Sequence, residues 1–254
     1  MTILDDIIAT KRTEIEEAKK IAPQDTFVLK EHTVGRFPAL FERGSVLIAE
    51  IKPKSPSAGT LIERSPLDIA DLYARSTADV ISVLTDAKYF GGSLDLLKDV
   101  RARIPQLILR KDFIIDEYQV YETAASSADI FLLIASILNT DELRSLRELG
   151  ESLGLDALVE VHDKSDIEKA LSSGARVIGI NNRDLTKMET DLTTTERLAS
   201  LIPSHIPLVS ESGIHEPADA TRVRKAGARG ILVGTSILRA EDTLAHISEL
   251  KKAL

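Results

Sequence analysis

Cysteine and tryptophan are absent from the 254 residues of this chain, and aromatic residues make up only 4% of it. The lack of cysteine excludes disulfides, thiol catalysis and thiolate metal sites. The five histidines, which are His32, His162, His205, His215 and His246, do not have the spacing of metal ligands, so no metal is expected. Few aromatic rings and a formal net charge of −8 argue against a nucleic-acid partner, because such partners require basic surfaces and stacking side chains.

Long hydrophobic stretches are lacking as well. No segment approaches the roughly 20 apolar residues that cross a bilayer, and residues 1–20 are too charged for a signal peptide. We therefore expect a cytoplasmic protein with no membrane partner. The hydrophobic fraction of 43% and the charged fraction of 28% suit one domain that spans residues 1–254.

What the chain does contain is a recurrent pattern of short apolar runs, each ending in polar or charged residues. Runs that are apolar throughout are typical of strands buried on both faces, as in a parallel sheet. Eight such runs occupy residues 46–49, 80–84, 107–109, 129–134, 155–161, 177–180, 207–209 and 230–233.

The segments between these runs have the pattern of helices. Ser65 can cap a helix that has Pro66 at its first position, a second helix starts at Asn139, and Gly174 and Gly227 are natural stops. Strand–helix units repeated eight times predict a (β/α)8 TIM barrel. The alternative is a doubly wound open sheet, which is less favoured because no Gly-x-Gly-x-x-Gly follows the first run.

Residues 1–45 precede the first run and are predicted to form an N-terminal helical extension. Leu4, Ile7, Ile8, Lys11 and Ile15 share one face of a helix. This helix can pack on the bottom of the barrel or on a partner, or it can lie over the mouth as a lid. The spacing of these residues favours neither arrangement.

Polar residues at the ends of the runs form the candidate site, because the C-terminal ends of barrel strands converge on one face. Glu50 and Lys52 alternate and therefore point to the same side of the first strand. The other runs add Lys111, Glu160, Asn181, Arg183, Glu211 and Ser212, with Phe113, Leu84, Leu132 and Leu232 as apolar walls. Lysines and carboxylates in partly dry surroundings have shifted pKa values and can transfer protons. A structural ion pair explains any single member better, but not the whole set.

The last two strands offer an anion site, in the place where this fold usually binds phosphate. Ser212-Gly213 follows the seventh run, and Gly234-Thr235-Ser236 follows the eighth. Glycine lets backbone N–H groups approach phosphate oxygens. The plainer interpretation is that both glycines only make tight turns, but two such turns in register favour the anion site.

These motifs resemble those of the indole-3-glycerol phosphate synthase family over essentially the whole chain. The resemblance rests on Glu50-Ile51-Lys52-x-x-Ser55-Pro56-Ser57-x-Gly59, Leu109-Arg110-Lys111-Asp112-Phe113, Val159-Glu160-Val161-His162, Ile180-Asn181-Asn182-Arg183-Asp184-Leu185 and Ser210-Glu211-Ser212-Gly213-Ile214. One departure is that Ser76-Thr77 and Ser126-Ser127 replace glycine-containing turns on the bottom face, where we expect effects on stability rather than on chemistry.

The resemblance implies conversion of 1-(2-carboxyphenylamino)-1-deoxyribulose 5-phosphate into indole-3-glycerol phosphate, carbon dioxide and water, without metal or cofactor. It implies that Lys111 is the general acid on the ketone and that Glu160 takes part in the proton transfers of dehydration. Further implied roles are a shared proton network for Glu50 and Lys52, anthranilate binding by Asn181 and Arg183, sugar contacts by Glu211, and phosphate binding by Ser55, Ser212, Gly213, Gly234 and Thr235. The only partner implied is this small phosphorylated substrate, and a monomer is assumed while the oligomeric state stays open.

Two other functions are compatible with a phosphate-binding barrel. A sugar-phosphate isomerase such as phosphoribosylanthranilate isomerase would share the phosphate turns but not the Glu-x-Lys opening or Leu-Arg-Lys-Asp-Phe. That class usually carries a cysteine in its acid–base pair, and this chain has no cysteine. A non-catalytic barrel would bind the ligand without turnover.

Overall fold

The computed structural model describes residues 3–55, 59–60, 64–184 and 189–254. Parallel strands in this part of the chain close into a barrel in which each strand pairs with its sequence neighbours and the last strand pairs with the first. The barrel strands are β1 (Val46–Ile51), β2 (Val80–Leu84), β3 (Leu107–Lys111), β4 (Ile130–Ile134), β5 (Asp156–Val161), β6 (Ile178–Asn181), β7 (Leu208–Glu211) and β8 (Gly230–Val233). The predicted (β/α)8 TIM barrel is confirmed, and every predicted run is a strand.

In the described part of the chain, two helices precede the first strand, and the others follow the strands and surround the barrel. They are α1 (Ile3–Ile21), α2 (Arg36–Arg43), α3 (Pro66–Tyr73), α4 (Ala87–Phe90), α5 (Leu94–Arg101), α6 (Glu117–Ala125), α7 (Thr140–Ser152), α8 (Lys164–Ser172), α9 (Thr193–Leu198), α10 (Pro217–Lys225), α11 (Thr235–Arg239) and α12 (Thr243–Ala253). The predicted caps are present: the Ser65 side chain accepts from the Leu67 N–H, and Asn139 forms a capping box with Glu142. None of the helices among the described residues is long and apolar enough to cross a membrane.

Alternation along the strands separates two layers of the core. Ile48, Leu109, Leu158 and Val209 belong to an inner cluster that fills the barrel. The residues between them in sequence, such as Ile108, pack outward against the helices in a second and larger cluster. Because side chains alternate between the two faces of a strand, this register decides which residue at each strand end points into the mouth.

The N-terminal extension covers both ends of the barrel. Helix α2 lies at the bottom, where Phe37 and Phe41 are fully buried in the inner cluster and the Phe37 N–H donates to Asp156 at the start of β5. Helix α1 lies at the mouth, next to residues that follow β2 and β3. For the helix that carries Leu4, Ile7, Ile8, Lys11 and Ile15, the structure therefore shows the position at the mouth rather than at the bottom of the barrel.

Helix α1 is fastened to the mouth by a buried lysine. Lys11 is only 5% exposed, and its Nζ lies 2.8 Å from Glu14, 3.0 Å from Asp86 and 3.1 Å from Asp112. Arg110 contacts the other oxygen of Asp112, at 3.2 Å. Removing one partner from such a buried ionic cluster typically costs about 3–5 kcal/mol, so these contacts hold α1 in place over the rim.

Candidate active site

Five polar residues near the C-terminal ends of the strands point into the mouth of the barrel. Glu50, Lys111, Glu160 and Glu211 each lie two residues after a member of the inner cluster, and Asn181 lies two residues after Gly179, which faces Glu211 and Leu158. All five line one cleft. The predicted convergence is therefore present in the structure. These charged and polar groups are buried or half-buried, where their interactions are much stronger than in water.

Lys111, at the end of β3, lies beside two carboxylates that come from β5 and β7. Its Nζ is 3.0 Å from Glu160 Oε2 and 3.6 Å from Glu211 Oε2. Burial alone would lower the pKa of Lys111, but the charges of Glu160, Glu211 and Glu50 raise it above the ordinary value. Lys111 is therefore an ammonium in the free site, rather than a group that titrates near neutral pH.

Glu160 is the carboxylate that the site keeps ionised. Lys111 donates to Oε2, and the Asn181 amide donates to Oε1 at 3.1 Å. Burial would raise the pKa of Glu160, but Lys111, His162 and the Asn181 hydrogen bond lower it below the ordinary value. Glu160 is thus an ionised base with its lone pairs directed at cationic and amide donors.

Glu211 is the carboxyl group that the site keeps protonated. Its Oε1 atom is buried and makes no hydrogen bond with any residue that the structure describes. Burial, together with repulsion from Glu160 and Glu50, raises the pKa of Glu211 to about 8, despite the nearby ammonium of Lys111. Gly179 provides the space for this side chain, because a Cβ there would lie 2.1 Å from Glu211 Oε1. The two carboxyl groups beside Lys111 therefore carry one proton between them at neutral pH.

Glu50 and Lys52 form the ion pair that their alternation predicted, with 2.5 Å between Oε2 and Nζ. Gly234, at the end of β8, packs directly on this pair. A Cβ at position 234 would lie 2.6 Å from Glu50 Oε2. The backbone of Gly234 is not in the left-handed region, so glycine is needed here for close approach rather than for turn geometry.

The turn after β7 has an unusual backbone. Ser212 and Gly213 both have positive φ angles, of 64° and 80°. For serine this conformation is strained, and the turn is held by Asn182, whose Nδ2 donates to the carbonyl oxygens of Glu211 and Ser212 at 2.9 and 3.0 Å. Successive residues of this kind can direct their N–H groups toward one anion.

The remaining predicted residues complete the walls of the same cleft. Phe113 packs near Phe90, with 6.1 Å between ring centroids, and Arg183 Nε donates to Thr190 Oγ1 at 3.3 Å. Thr235 lines the cleft beside Gly234. Ser55 is the exception, because its side chain lies outside the described residues. The other twelve predicted site residues line this one cleft: Glu50, Lys52, Lys111, Phe113, Glu160, Asn181, Arg183, Glu211, Ser212, Gly213, Gly234 and Thr235.

Three residues that contact the site residues and hold them in place were not predicted from the sequence. Asn182 braces the Ser212 turn, His162 lies 3.3 Å from Glu160 Oε1, and Asp112 ties the end of β3 to Lys11. Lys11 within an apolar helical face was a visible signal of a buried ion pair. Within the described residues, no three His, Asp or Glu side chains are grouped as metal ligands would be.

The chemical capacity of this arrangement follows from its charges. One cleft presents a strong cationic donor, an ionised carboxylate and a protonated carboxylic acid within a few ångströms of one another. Groups whose pKa values are pushed apart in this way can act as acid and base at the same pH. Such a site suits a reaction in which one oxygen gains protons while a nearby carbon or nitrogen loses one.

Comparison with known proteins identifies a family for this arrangement. The sequence model described as indole-3-glycerol phosphate synthase matches residues 4–250. An indole-3-glycerol phosphate synthase of Ruminiclostridium cellulolyticum is 41% identical over 257 residues, covering 98% of each chain. One of Polaromonas naphthalenivorans is 44% identical, again over 98% of each chain.

Solved structures show the same fold in more distant proteins. Thiamine phosphate pyrophosphorylase from Pyrococcus furiosus matches with a TM-score of 0.62 at 18% identity, over 84% of this chain and 96% of that one. KGPDC from Streptococcus mutans matches with a TM-score of 0.63 at 15% identity, over 83% and 97% of the two chains. At such low identity these matches indicate the barrel fold alone.

Proposed function

The chain belongs to the indole-3-glycerol phosphate synthase family, and we propose that its barrel cleft carries out the family's ring closure with Lys111, Glu160 and Glu211 as the acid–base groups. The enzyme is a carboxy-lyase of tryptophan biosynthesis that acts on a phosphorylated small molecule. It forms indole-3-glycerol phosphate from 1-(2-carboxyphenylamino)-1-deoxyribulose 5-phosphate by ring closure, decarboxylation and dehydration. The observation that carries the proposal is the position of Lys111 between Glu160 and Glu211 in one cleft.

The first step requires a charged donor at the substrate ketone. Lys111 is an ammonium at neutral pH, because three carboxylates raise its pKa. Directed at the ketone oxygen, it makes the carbonyl carbon electrophilic and stabilises the negative charge that develops as the aromatic ring attacks. A donor or acid of this kind contributes on the order of 10²–10⁴ in rate.

The later steps require an acid and a base together. Once carbon dioxide has left, the new hydroxyl group must gain a proton to depart as water, and the adjacent carbon must lose one. We assign the acid to Glu211, whose raised pKa keeps it protonated, and the base to Glu160, which stays ionised. Glu50 and Lys52 extend this proton network along β1.

Both ends of the substrate need an anchor, so that the aromatic ring lies over the ketone. We place the phosphate at Ser212, Gly213, Gly234 and Thr235, with Ser55 as a further candidate. Arg183 and Asn181 lie on the same wall of the cleft and are assigned to the carboxylate-bearing ring. Phe113 and Leu132 supply apolar walls that limit water around the charged intermediate.

A steady-state assay on the purified chain tests this function. Indole fluorescence should rise when the carboxyphenylamino substrate is added, without added metal or cofactor. Binding of the substrate without any fluorescence increase would identify a non-catalytic barrel and overturn the proposal. We also propose that the protein is cytoplasmic and that it works as a monomer. Subcellular fractionation tests the first proposal, and light scattering tests the second.

A further inference from the structure

The reaction takes up a proton that the site must obtain from solvent. The ketone oxygen needs two protons to leave as water, and only one proton is released when the indole double bond forms. At neutral pH the aryl carboxyl group enters as a carboxylate and leaves as neutral carbon dioxide. Each turnover therefore consumes one proton, and a cleft filled by substrate needs another route for its delivery.

A second cleft lies on the other side of the wall formed by Asn181 and Arg183. We define it by the residues Leu4, Ser136, His162, Asp163, Asn182 and Arg197 that line it. Asn181 and Arg183 line both clefts, whereas Glu160 lines only the main cleft and His162 lines only the second. The contact between His162 and Glu160 therefore connects the second cleft with the main cleft.

The geometry of His162 suits a proton carrier. Nε2 lies 3.3 Å from Glu160 Oε1, and Nδ1 lies 3.7 Å from Asp166 Oδ2 on helix α8. Neither ring nitrogen makes a hydrogen bond with any residue in the described part of the chain, although both nitrogens are buried. Nε2 already lies close enough to Glu160, so a small rotation of the ring would align its N–H with the carboxylate, and the contact can form and break as protons move.

The charges around His162 favour its protonated form. Burial would lower the pKa of His162, but Asp166, Glu160 and Glu211 raise it above the ordinary value. Other charged groups near it are Lys169, which lies 3.6 Å from Asp166, and Asp163, Arg183, Asp184, Glu189, Asp191 and Arg197 of the second cleft. Because the carboxylates of Glu160 and Asp166 lie on the two sides of the ring, a proton taken up by His162 is retained there.

We propose that His162 delivers to Glu160 the proton that each turnover consumes, drawing it from the second cleft. The inference rests on the proposed function. In the transfer the Nε2–H bond of the imidazolium breaks and an O–H bond forms on Glu160, so that both charges are neutralised. Glu160 then passes the proton to whichever of Lys111 and Glu211 has given its own proton to the substrate, which restores that group for the next turnover, and His162 is reprotonated from the second cleft.

His162 acts through Glu160 and is a positioning and relay residue, so its test must separate relay from structure. We expect His162→Gln to lower kcat roughly a hundredfold, at the low end of acid–base effects, with KM unchanged. Imidazole added at constant pH and ionic strength should restore part of kcat. His205→Gln is the matched control, because His205 is exposed in the segment before β7, and it should retain full activity.

Three outcomes would overturn the relay: an unchanged kcat in His162→Gln, a loss that imidazole does not rescue, or a rise in KM alone. If His162→Gln does not fold, the contact between His162 and Glu160 can be tested instead by following the titration of His162 with NMR in the folded protein. Glu160→Gln should lower the pKa of His162, and an unaltered titration would contradict the contact. Failure of the unaltered enzyme to turn over substrate would instead contradict the proposed function.

Discussion

Asp156 at the bottom of the barrel and Glu211 at its mouth are both buried, yet their surroundings differ in kind. Asp156 accepts the backbone N–H groups of Gly35 and Phe37 at 2.8 and 2.9 Å. Glu211 faces another carboxylate and an ammonium, and its Oε1 makes no hydrogen bond within the described residues. Burial raises the pKa of both groups, but only for Asp156 do hydrogen bonds from backbone N–H groups oppose this effect.

The same contrast extends to other carboxylates at the bottom. Asp79 accepts the Leu47 N–H at 2.7 Å, and Asp129 accepts the Ile108 N–H at 2.8 Å. These aspartates fasten strand starts to their neighbours, and so they stabilise the fold. The carboxylates at the mouth mainly shift one another's protonation. The bottom of the barrel thus supplies stability that compensates for repulsion at the mouth.

The largest effect is expected from removing the ammonium at the mouth. Lys111→Met should lower kcat on the order of 10²–10⁴-fold, because the ketone loses its charged donor. The substitution also leaves Glu160 without its ion pair, which should raise the pKa of that carboxyl group. Steady-state kinetics by indole fluorescence measure the loss.

Lys164→Met is the control for that variant, since Lys164 is 73% exposed on helix α8. It should keep the kcat of the unaltered enzyme. Phosphate binding by Lys111→Met should also be nearly intact, because the phosphate turns lie at β7 and β8. Turnover close to that of the unaltered enzyme in Lys111→Met would remove Lys111 from its assigned role.

The next effect concerns stability rather than rate. Glu211→Gln should abolish most activity but stabilise the fold at neutral and higher pH, by on the order of 1–4 kcal/mol. The folded protein has to keep Glu211 protonated at a pH where the unfolded chain ionises it, and glutamine removes that cost. In the folded protein the pKa of Glu211 is about 8, against 4.5 ordinarily. Between these values only the unfolded chain ionises this group, so stability falls as pH rises through that range.

Urea unfolding at a series of pH values checks this prediction. The advantage of Glu211→Gln should be smallest near pH 4.5 and should grow up to about pH 8. Glu168→Gln, at an exposed position of helix α8, should leave the pH profile unchanged. A Glu211→Gln variant less stable than the parent at pH 8 would show that Glu211 is a favourable structural charge like those at the bottom.

At the bottom of the barrel, replacing a buried carboxylate by an amide is expected to lower the stability of the fold rather than raise it. Asp156→Asn should destabilise the protein by about 1–3 kcal/mol, because one of two backbone N–H donors then faces an amide NH2 group. The activity of the folded fraction should be unaffected, since Asp156 lies at the far end of β5. Asp95→Asn, with an 89% exposed side chain, should change the unfolding midpoint little. Loss of kcat without loss of stability in Asp156→Asn would contradict the division between the two ends.

The barrel and most of its site could be predicted because both depend on local patterns. Apolar runs identified the strands, and alternation at Glu50 and Lys52 placed two charges on one side. The barrel then brought the strand ends together by topology alone. Among the predicted site residues, only the side chain of Ser55 lies outside the described part of the chain.

What could not be predicted depends on contacts between distant segments. The protonation of Glu211 follows from how closely Glu160, Glu50 and Lys111 approach it, which spacing in sequence does not encode. Lys11 looked like one member of an amphipathic helix face, and its burial against Asp86 and Asp112 required knowing where α1 lies. Gly234 was assigned to phosphate approach, whereas the structure adds a second reason in the packing of Glu50.

The smallest predicted effect concerns a turn at the bottom, where a serine occupies a position that suits glycine. Ser127 has a φ of 65°, and its hydroxyl oxygen is buried without a hydrogen bond to any described residue. The corresponding turns before β5, β6 and β8 have Gly154, Gly174 and Gly227 with positive φ. Ser127→Gly should stabilise the fold by about 0.5–1 kcal/mol. Glycine removes the strain of the left-handed conformation, and part of this gain is lost because glycine makes the unfolded chain more flexible.

Thermal unfolding at constant pH measures this gain, which for a chain of this size corresponds to a rise in Tm of roughly 1–4 °C. Ser126→Gly is the adjacent control and should act in the opposite direction, because Ser126 has a helical φ and its hydroxyl donates to the Thr123 carbonyl oxygen at 2.8 Å. Neither substitution should alter kcat or KM, since the turn lies at the opposite end of the barrel from Lys111. A lower Tm in Ser127→Gly would mean that the serine hydroxyl stabilises the turn, and a changed kcat would show that the bottom of the barrel influences the chemistry at its mouth.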